Sequence, residues 1–256
     1  MSEGSSSPAR KGRGLAALGL VLAAAFVALG AWQIQRLAWK LDLIAAVNAR
    51  VAAAPVATPG PDAWSRIGAK DDAYRHVRVH GVFDNDRETL VQAVTDAGPG
   101  FWVMTPLRAD AGFTVLVNRG FVPADRAAPA SRAAGQAAGP AMVTGLLRIS
   151  EPHGAFLRAN QPAAGRWYSR DVAGIAQAKG LGLTAPYFID ADTTPNLGGW
   201  PRGGMTVIRF HNSHLAYAAT WFTLAAMSLA WSFWPTIEGA LRRRRPSARL
   251  AGADVR

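Results

Sequence analysis

The residues best placed to do chemistry are His211 and His214, in the stretch His211-Asn212-Ser213-His214-Leu215-Ala216-Tyr217-Ala218-Ala219-Thr220-Trp221. They stand where a polar segment gives way to an apolar run of twenty residues, Leu215 to Trp234. Asn212 or Ser213 is a good N-cap, so a helix that starts there puts His214 in its first turn, with Tyr217 and Trp221 on its face at i+3 and i+7. Neutral imidazole is the form that the positive end of a helix dipole favours, and it keeps a nitrogen lone pair for a metal. An aromatic face beneath such a ligand offers a flat apolar macrocycle a surface on which to lie. The same residue types also populate ordinary membrane interfaces, so the pattern alone leaves both readings open.

The other histidines point to less. His76 and His80 share one face of a strand-like alternation, and i, i+4 spacing in an extended strand separates them by about 13 Å, too far to share one metal. They read as polar residues on a solvated sheet face, and His153, between Pro152 and Gly154, reads as a turn residue. No G-x-x-x-x-G-K, H-E-x-x-H, G-x-S-x-G or Ser-x-x-Lys pattern occurs, and the chain has no cysteine. Nucleophilic, phosphoryl-transfer, zinc-hydrolase and thiolate chemistry therefore lack a motif, and the expectation is a protein that is not an enzyme.

What must position His214 is a membrane helix and the domain before it. Of 256 residues, Leu15 to Trp32 form a first run of eighteen without a charged side chain, close to the later run in length. At about 1.5 Å per residue either run as a helix covers most or all of a ~30 Å hydrocarbon core. The formal net charge of +11 is concentrated beside them, with +2 on residues 1–14 and +4 on residues 235–256. That placement follows the positive-inside rule and the pull of anionic headgroups, and no recognition module accompanies it that would suggest nucleic acid. Both termini are expected in the cytoplasm and the central segment on the opposite side. The first run is longer than a signal-peptide core and continues helically through Gln33, Arg36 and Lys40 to about Val51, which argues against cleavage.

The expected organisation is an α+β membrane protein in which two transmembrane helices bracket a mainly antiparallel β extracytoplasmic domain. Its parts are a disordered basic tail at 1–14, a first span at 15–35, the β-rich domain at 36–210, a second span at 211–234 and an Arg-rich tail at 235–256. A Pro-rich linker covers 52–63. Period-two alternation predicts strands at Tyr74 to Phe83, interrupted at Gly81, and at Thr89 to Val94, Phe101 to Leu107 and Thr114 to Val117. Further strands are predicted at Met142 to Ile149, Tyr187 to Ile189 and Met205 to Phe210. Asn118-Arg119-Gly120 reads as a turn, Ala127 to Ala141 as a mobile loop, and Arg170 to Lys179 as the soluble helix.

Several blocks of sequence resemble one family. Gly30, Trp32, Gln33, Arg36, Trp39, Lys40, Leu43 and Ile44 form a G-x-W-Q-x-x-R-x-x-W-K-x-x-L-I pattern at the exit of the first span. Tyr74-Arg75-x-Val77 with Gly81-x-Phe83, Leu116 to Pro123, and Gly145 to Arg148 with Glu151 follow. The closing block is Asn212-x-His214-Leu-x-Tyr217-x-x-Thr220-Trp221. In order and layout these are similar to the surfeit locus protein one family, cytochrome c oxidase assembly factors. The resemblance implies a non-catalytic chaperone in an inner membrane, with the domain in the periplasm of a bacterium or in a mitochondrial intermembrane space. It would receive heme a from a heme a synthase and assist its insertion into oxidase subunit I. His214 matches the family's second-span histidine and is the expected axial ligand of the heme iron, whereas His211 falls outside the pattern. Arg119, Arg36 and Lys40 are either candidates to pair with heme propionates or, the reading their positions favour, ordinary turn and interface residues. Phe121 stands where the pattern leads one to expect Trp. A two-span sensor or scaffold with a periplasmic ligand domain is the alternative, and the 22 residues after Trp234 argue against a cytoplasmic effector.

Overall fold

Apolar side chains at every second position decide the central architecture. The computed structural model describes residues 8–136, 138–155, 157–208, 210 and 212–244. They fall into two units, one made of residues up to 43 together with those from 210 onward, the other of residues 44–209. The second unit is built on nine strands: β1 (Val56–Ala57), β2 (His76–Phe83), β3 (Thr89–Thr95), β4 (Gly98–Ala109), β5 (Thr114–Pro123), β6 (Pro140–Ile149), β7 (Gly154–Ala155), β8 (Arg158–Ala159) and β9 (Thr184–Ala191). Pairings β2–β6, β6–β9, β9–β5, β5–β4 and β4–β2 close a ring of five strands, with β3 added beside β4 and β1 beside β2. All the ring pairings are antiparallel except β5–β9.

Inside the ring lie odd-numbered residues: Val77 and Val79, Leu107 and Ala109, Val115 and Val117, Val143 and Leu147, Ala185, Tyr187 and Ile189, all buried. This is the inward half of the strand period. On the opposite face Met104, Leu116 and Phe188 are covered by Trp167 and by Val172 and Ile175. The last two belong to α2 (Val172–Ala178), whose N-cap Asp171 accepts a hydrogen bond from the Gly174 backbone at 3.0 Å.

Gly81 does not interrupt β2, as the sequence suggests; it is where the ring closes. There β2 meets Ala109 of β4 on one side and Ala141 of β6 on the other. A Cβ on Gly81 would lie 2.2 Å from the Arg108 carbonyl oxygen, so only glycine admits the approach.

Four further expectations are corrected. Residues 52–63 are not a free linker, because Val56–Ala57 pair in parallel with β2 and a tight turn at Pro61–Arg66 packs Trp64 edge-on against Phe113 at 5.5 Å. Asn118, Arg119 and Gly120 lie within β5, where pairing with β4 and β9 overrides the turn propensity of Asn and Gly. The described residues of the stretch from Ala127 to Ala141 are folded, with a tight turn at Pro129–Gly135 and the start of β6 at Pro140; Arg132 is buried there and ion-paired to Glu88. Residues 205–208 form no strand, since their one side-chain anchor in the barrel is the Thr206 hydroxyl on Asp190 and no backbone ladder forms.

The first unit is helical. α1 (Pro8–Ala52) is 45 residues, about 68 Å at the α-helical rise, and starts inside the stretch expected to be a tail. Its segment Gly14–Ala52 is long and apolar enough to cross a membrane, with mean hydropathy 2.3 over its most apolar window, and among the described residues it is the one such helix. The second helix, α3 (His214–Arg244), is 31 residues and runs past the boundary expected at Trp234. Ala, Thr, Ser and Trp replace much of the Leu and Val that make α1 apolar, so α3 is the less apolar of the two.

Candidate functional site in the helix pair

Along α1 the residues turned away from solvent include Gly19, Ala23, Phe26, Gly30 and Gln33; along α3 they include His214, Ala218, Trp221, Ala225, Ser228 and Ser232. Spacings of four and three alternate in both, the 3.5-residue period of a left-handed antiparallel pair. The contacts confirm the direction. Gln33 meets His214, Phe26 stacks on Trp221 at 5.7 Å, and a Cβ on Gly19 would lie 2.0 Å from the Ser232 hydroxyl. Gly30 performs the same service higher up, where a Cβ would meet the Phe222 ring at 2.7 Å. Small residues thus let the backbones approach. Away from the seam the helices carry Leu18, Val21, Leu22, Leu29, Trp32, Leu215 and Met227, all exposed.

His214 opens α3, and its backbone N–H donates to Asn212 Oδ1 at 3.3 Å, so the asparagine supplies the first-turn cap that its residue type predicts. Its ring Nδ1 lies 2.7 Å from Gln33 Oε1. With the amide oxygen facing the ring, Nδ1–H is the donor in this contact, and in a neutral imidazole so arranged the lone pair falls on Nε2. Gln33 itself is buried and, at the apolar exit of α1, this contact answers the cost of burying an amide. Below the histidine Trp221 is already stacked on Phe26, so it is a packing residue of the helix pair, not the open aromatic face expected of it; Tyr217 is exposed. Arg36 lies over the Trp39 ring at 4.5 Å and Lys40 over the Phe210 ring at 5.5 Å. His211 lies outside the described residues.

The barrel unit contains buried charge that the sequence reading did not foresee. Asp190, on the outer face of β9, accepts from Asn118 Nδ2 at 2.8 Å, Arg148 Nη1 at 2.8 Å, Arg170 Nη1 at 3.1 Å and Thr206 Oγ1 at 2.9 Å. Glu151 also pairs with both arginines, which makes a neutral set of four charges. Burial alone would lower the Arg170 pKa, but Asp190 and Glu151 outweigh it and raise the value above normal. Arg148 and Glu151 stood in the quoted sequence blocks, but nothing local announces that Asp190, some forty residues on, completes them.

Arg119 extends from β5 to donate to the Gly135 carbonyl and to Asn196 Oδ1 at 2.7 Å, with its guanidinium 4.7 Å from the Phe83 ring centre. Burial, opposed by Glu88 and reinforced by Arg132, lowers its pKa to about 10. It thus clamps two loops, and the cavity beside it, about 240 Å³, is smaller than the roughly 300–1,000 Å³ of typical ligand clefts. His80 is paired with Asp110 at 2.6 Å on an exposed face, His76 Nδ1 contacts the Ala53 carbonyl, and His153 occupies a positive-φ turn, all in line with structural roles. Among the described residues no cluster of His, Asp and Glu could hold a metal ion.

A closed β unit that lies in the chain between two long helices, one of them long and apolar enough to cross a membrane, defines a membrane-associated α+β protein. The SURF1 family model matches residues 20–226, and the chain belongs to the SURF1 family. Surfeit locus protein 1 of Rattus norvegicus is 38% identical over 229 residues, 83% of this chain and 72% of the relative. The Homo sapiens protein of the same name is 38% identical over 221 residues, 79% of this chain and 71% of its own length. A SURF1-like protein of Monosiga brevicollis is likewise 38% identical over 221 residues, covering 80% and 81%.

Proposed function

We propose that this protein is an assembly factor for a heme-copper terminal oxidase that takes heme a as transient cargo on His214 and assists its insertion into subunit I. Membership of the SURF1 family fits a role in cytochrome c oxidase assembly. The observation that carries the heme reading is the contact of His214 Nδ1 with Gln33 Oε1, which turns Nδ1 to the amide and leaves Nε2 as the nitrogen available to ligate heme iron. Half-buried His214 is followed along α3 by exposed Leu215 and Tyr217, an apolar setting that suits a porphyrin edge.

In this reading α1 and α3 both span an inner membrane, with both termini cytoplasmic and the barrel unit periplasmic. The outward-facing Leu, Val, Phe and Trp of the two helices support it, because such a surface is stable against lipid and costly against water. A heme a synthase as donor, subunit I as acceptor and the bilayer are the partners.

The test is co-expression with a heme-a-synthesising system, purification in detergent and comparison of wild type with His214→Ala. The wild type is expected to carry heme with a histidine-ligated absorption spectrum and the variant to lose most of it. A wild type without heme, or a variant with unchanged heme content and spectrum, overturns the reading.

A further inference from the structure

Among the described residues Gln33 is the one carboxamide in the seam between α1 and α3, and its position is set by the same four-and-three spacing that places Gly19, Ala23, Phe26 and Gly30. It is 9% exposed, whereas the ring it contacts is half-exposed at the first residue of a helix. An imidazole in that position without a partner is free to turn about two side-chain torsions and to carry its proton on either nitrogen. The 2.7 Å contact with Gln33 Oε1 restricts both freedoms, because an amide oxygen in that place favours Nδ1–H as the donor and orients the plane of the ring.

We infer that Gln33 is a positioning residue: it holds His214 as the Nδ1–H tautomer with Nε2 turned outward, and it sets the donor strength of that nitrogen. The inference rests on the reading of His214 as the iron ligand, and adds to it a reason for the chemical type of the partner. A carboxylate in the same place would draw the Nδ1 proton more strongly and make Nε2 a stronger donor; an alkyl side chain would leave the ring unoriented. The neutral amide lies between, orienting the ligand without strengthening the bond that a transient carrier has to break.

The test uses the full chain in detergent, wild type against Gln33→Leu and Gln33→Glu, with His214→Ala alongside. Ring nitrogen shifts of His214 in the heme-free protein read the tautomer: Nδ1–H is expected in wild type, and a move toward the Nε2–H form of free histidine in Gln33→Leu. In heme-loaded protein Gln33→Leu should weaken retention roughly tenfold or more. Gln33→Glu should lower the heme midpoint potential and shift the iron–histidine stretching band upward, opposite to Gln33→Leu. A wild-type His214 with its proton on Nε2, or a Gln33→Leu protein with unchanged tautomer, spectrum and potential, overturns the inference. Should Gln33→Leu fail to fold, the direction of the Gln33→Glu potential decides it. The tautomer measurement needs no heme, so failure of the positioning role is distinguishable from failure of the His214 reading.

Discussion

Removing the carboxylate of Asp190 is the most severe single change the barrel offers away from its apolar core. The side chain is 3% exposed and gathers hydrogen bonds from two guanidiniums, an amide and a hydroxyl at 2.8 to 3.4 Å. In Asp190→Ala the arginines at 148 and 170 remain, with side chains 17% and 14% exposed, and Glu151, itself 39% exposed, is left to serve both. Breaking a buried pair by deleting one partner costs about 3–5 kcal/mol. For a domain of this size each kcal/mol shifts the midpoint by about 2–4 °C, so a fall of roughly 6–20 °C is expected. The assay is thermal unfolding of the full chain in mild detergent, followed by tryptophan fluorescence, since Trp102 and Trp167 lie in the barrel unit. Asp190→Asn should fall nearly as far, because it keeps the shape but not the charge. Adding Arg148→Met to Asp190→Ala should recover part of the loss by removing an unpaired charge. A midpoint within about 2 °C of wild type would refute the argument that the carboxylate compensates both arginines.

Two further outcomes test the same unit. Burial raises the Tyr187 pKa above its ordinary value of 10, and its hydroxyl donates to the Pro59 carbonyl at 2.6 Å. Above pH 10 the unfolded chain therefore loses that proton first, so stability present below pH 10 is lost as pH rises. Tyr187→Phe should cost only about 1 kcal/mol at neutral pH, because Trp64 also donates to Pro59, and should show a shallower alkaline decline in pH-dependent denaturant titrations. Arg119, lowered to about 10 from 12.5, contributes the opposite slope in that window but does so in both proteins and cancels from the comparison. Arg132→Ala leaves buried Glu88 without its guanidinium; a local loss of about 3 kcal/mol should speed amide exchange in residues 127–136 by roughly two orders of magnitude, and unchanged exchange would show the segment to be held by other contacts.

The period-two runs were legible because strand burial repeats within each segment: Val77 and Val79, or Val115 and Val117, announce their inward face locally. The soluble helix was legible at Val172–Ala178 for the same reason. What the sequence concealed depends on distant partners. Arg132, in an Ala/Gly/Pro-rich stretch, signals a loop until Glu88, 44 positions earlier, is seen to receive it. Asn118-Arg119-Gly120 carries turn residues, yet β4 and β9 on either side hold it extended. At the candidate site His214 and its cap could be named from spacing, whereas the Gln33 contact spans 181 positions and required the helix pair to be in view. One local hint existed: Gln33 is the first polar side chain after the run that begins at Leu15, and it stands in step with Gly30, Phe26 and Ala23.

The parallel pairing of β5 with β9 sets the order in which the molecule can be made. β9 joins β5 to β6, and it is the last strand of the ring in the chain, ending at Ala191. Until the ribosome has passed it, β5 and β6 each present an unpaired backbone edge, and the apolar lining already synthesised has no wall to face. Closure also demands contacts across long stretches of sequence, which slows folding. A chain that stops before residue 184 leaves an open sheet with two exposed edges, a substrate for aggregation or proteolysis. Truncation is therefore a lesion of folding before it is a loss of the second helix.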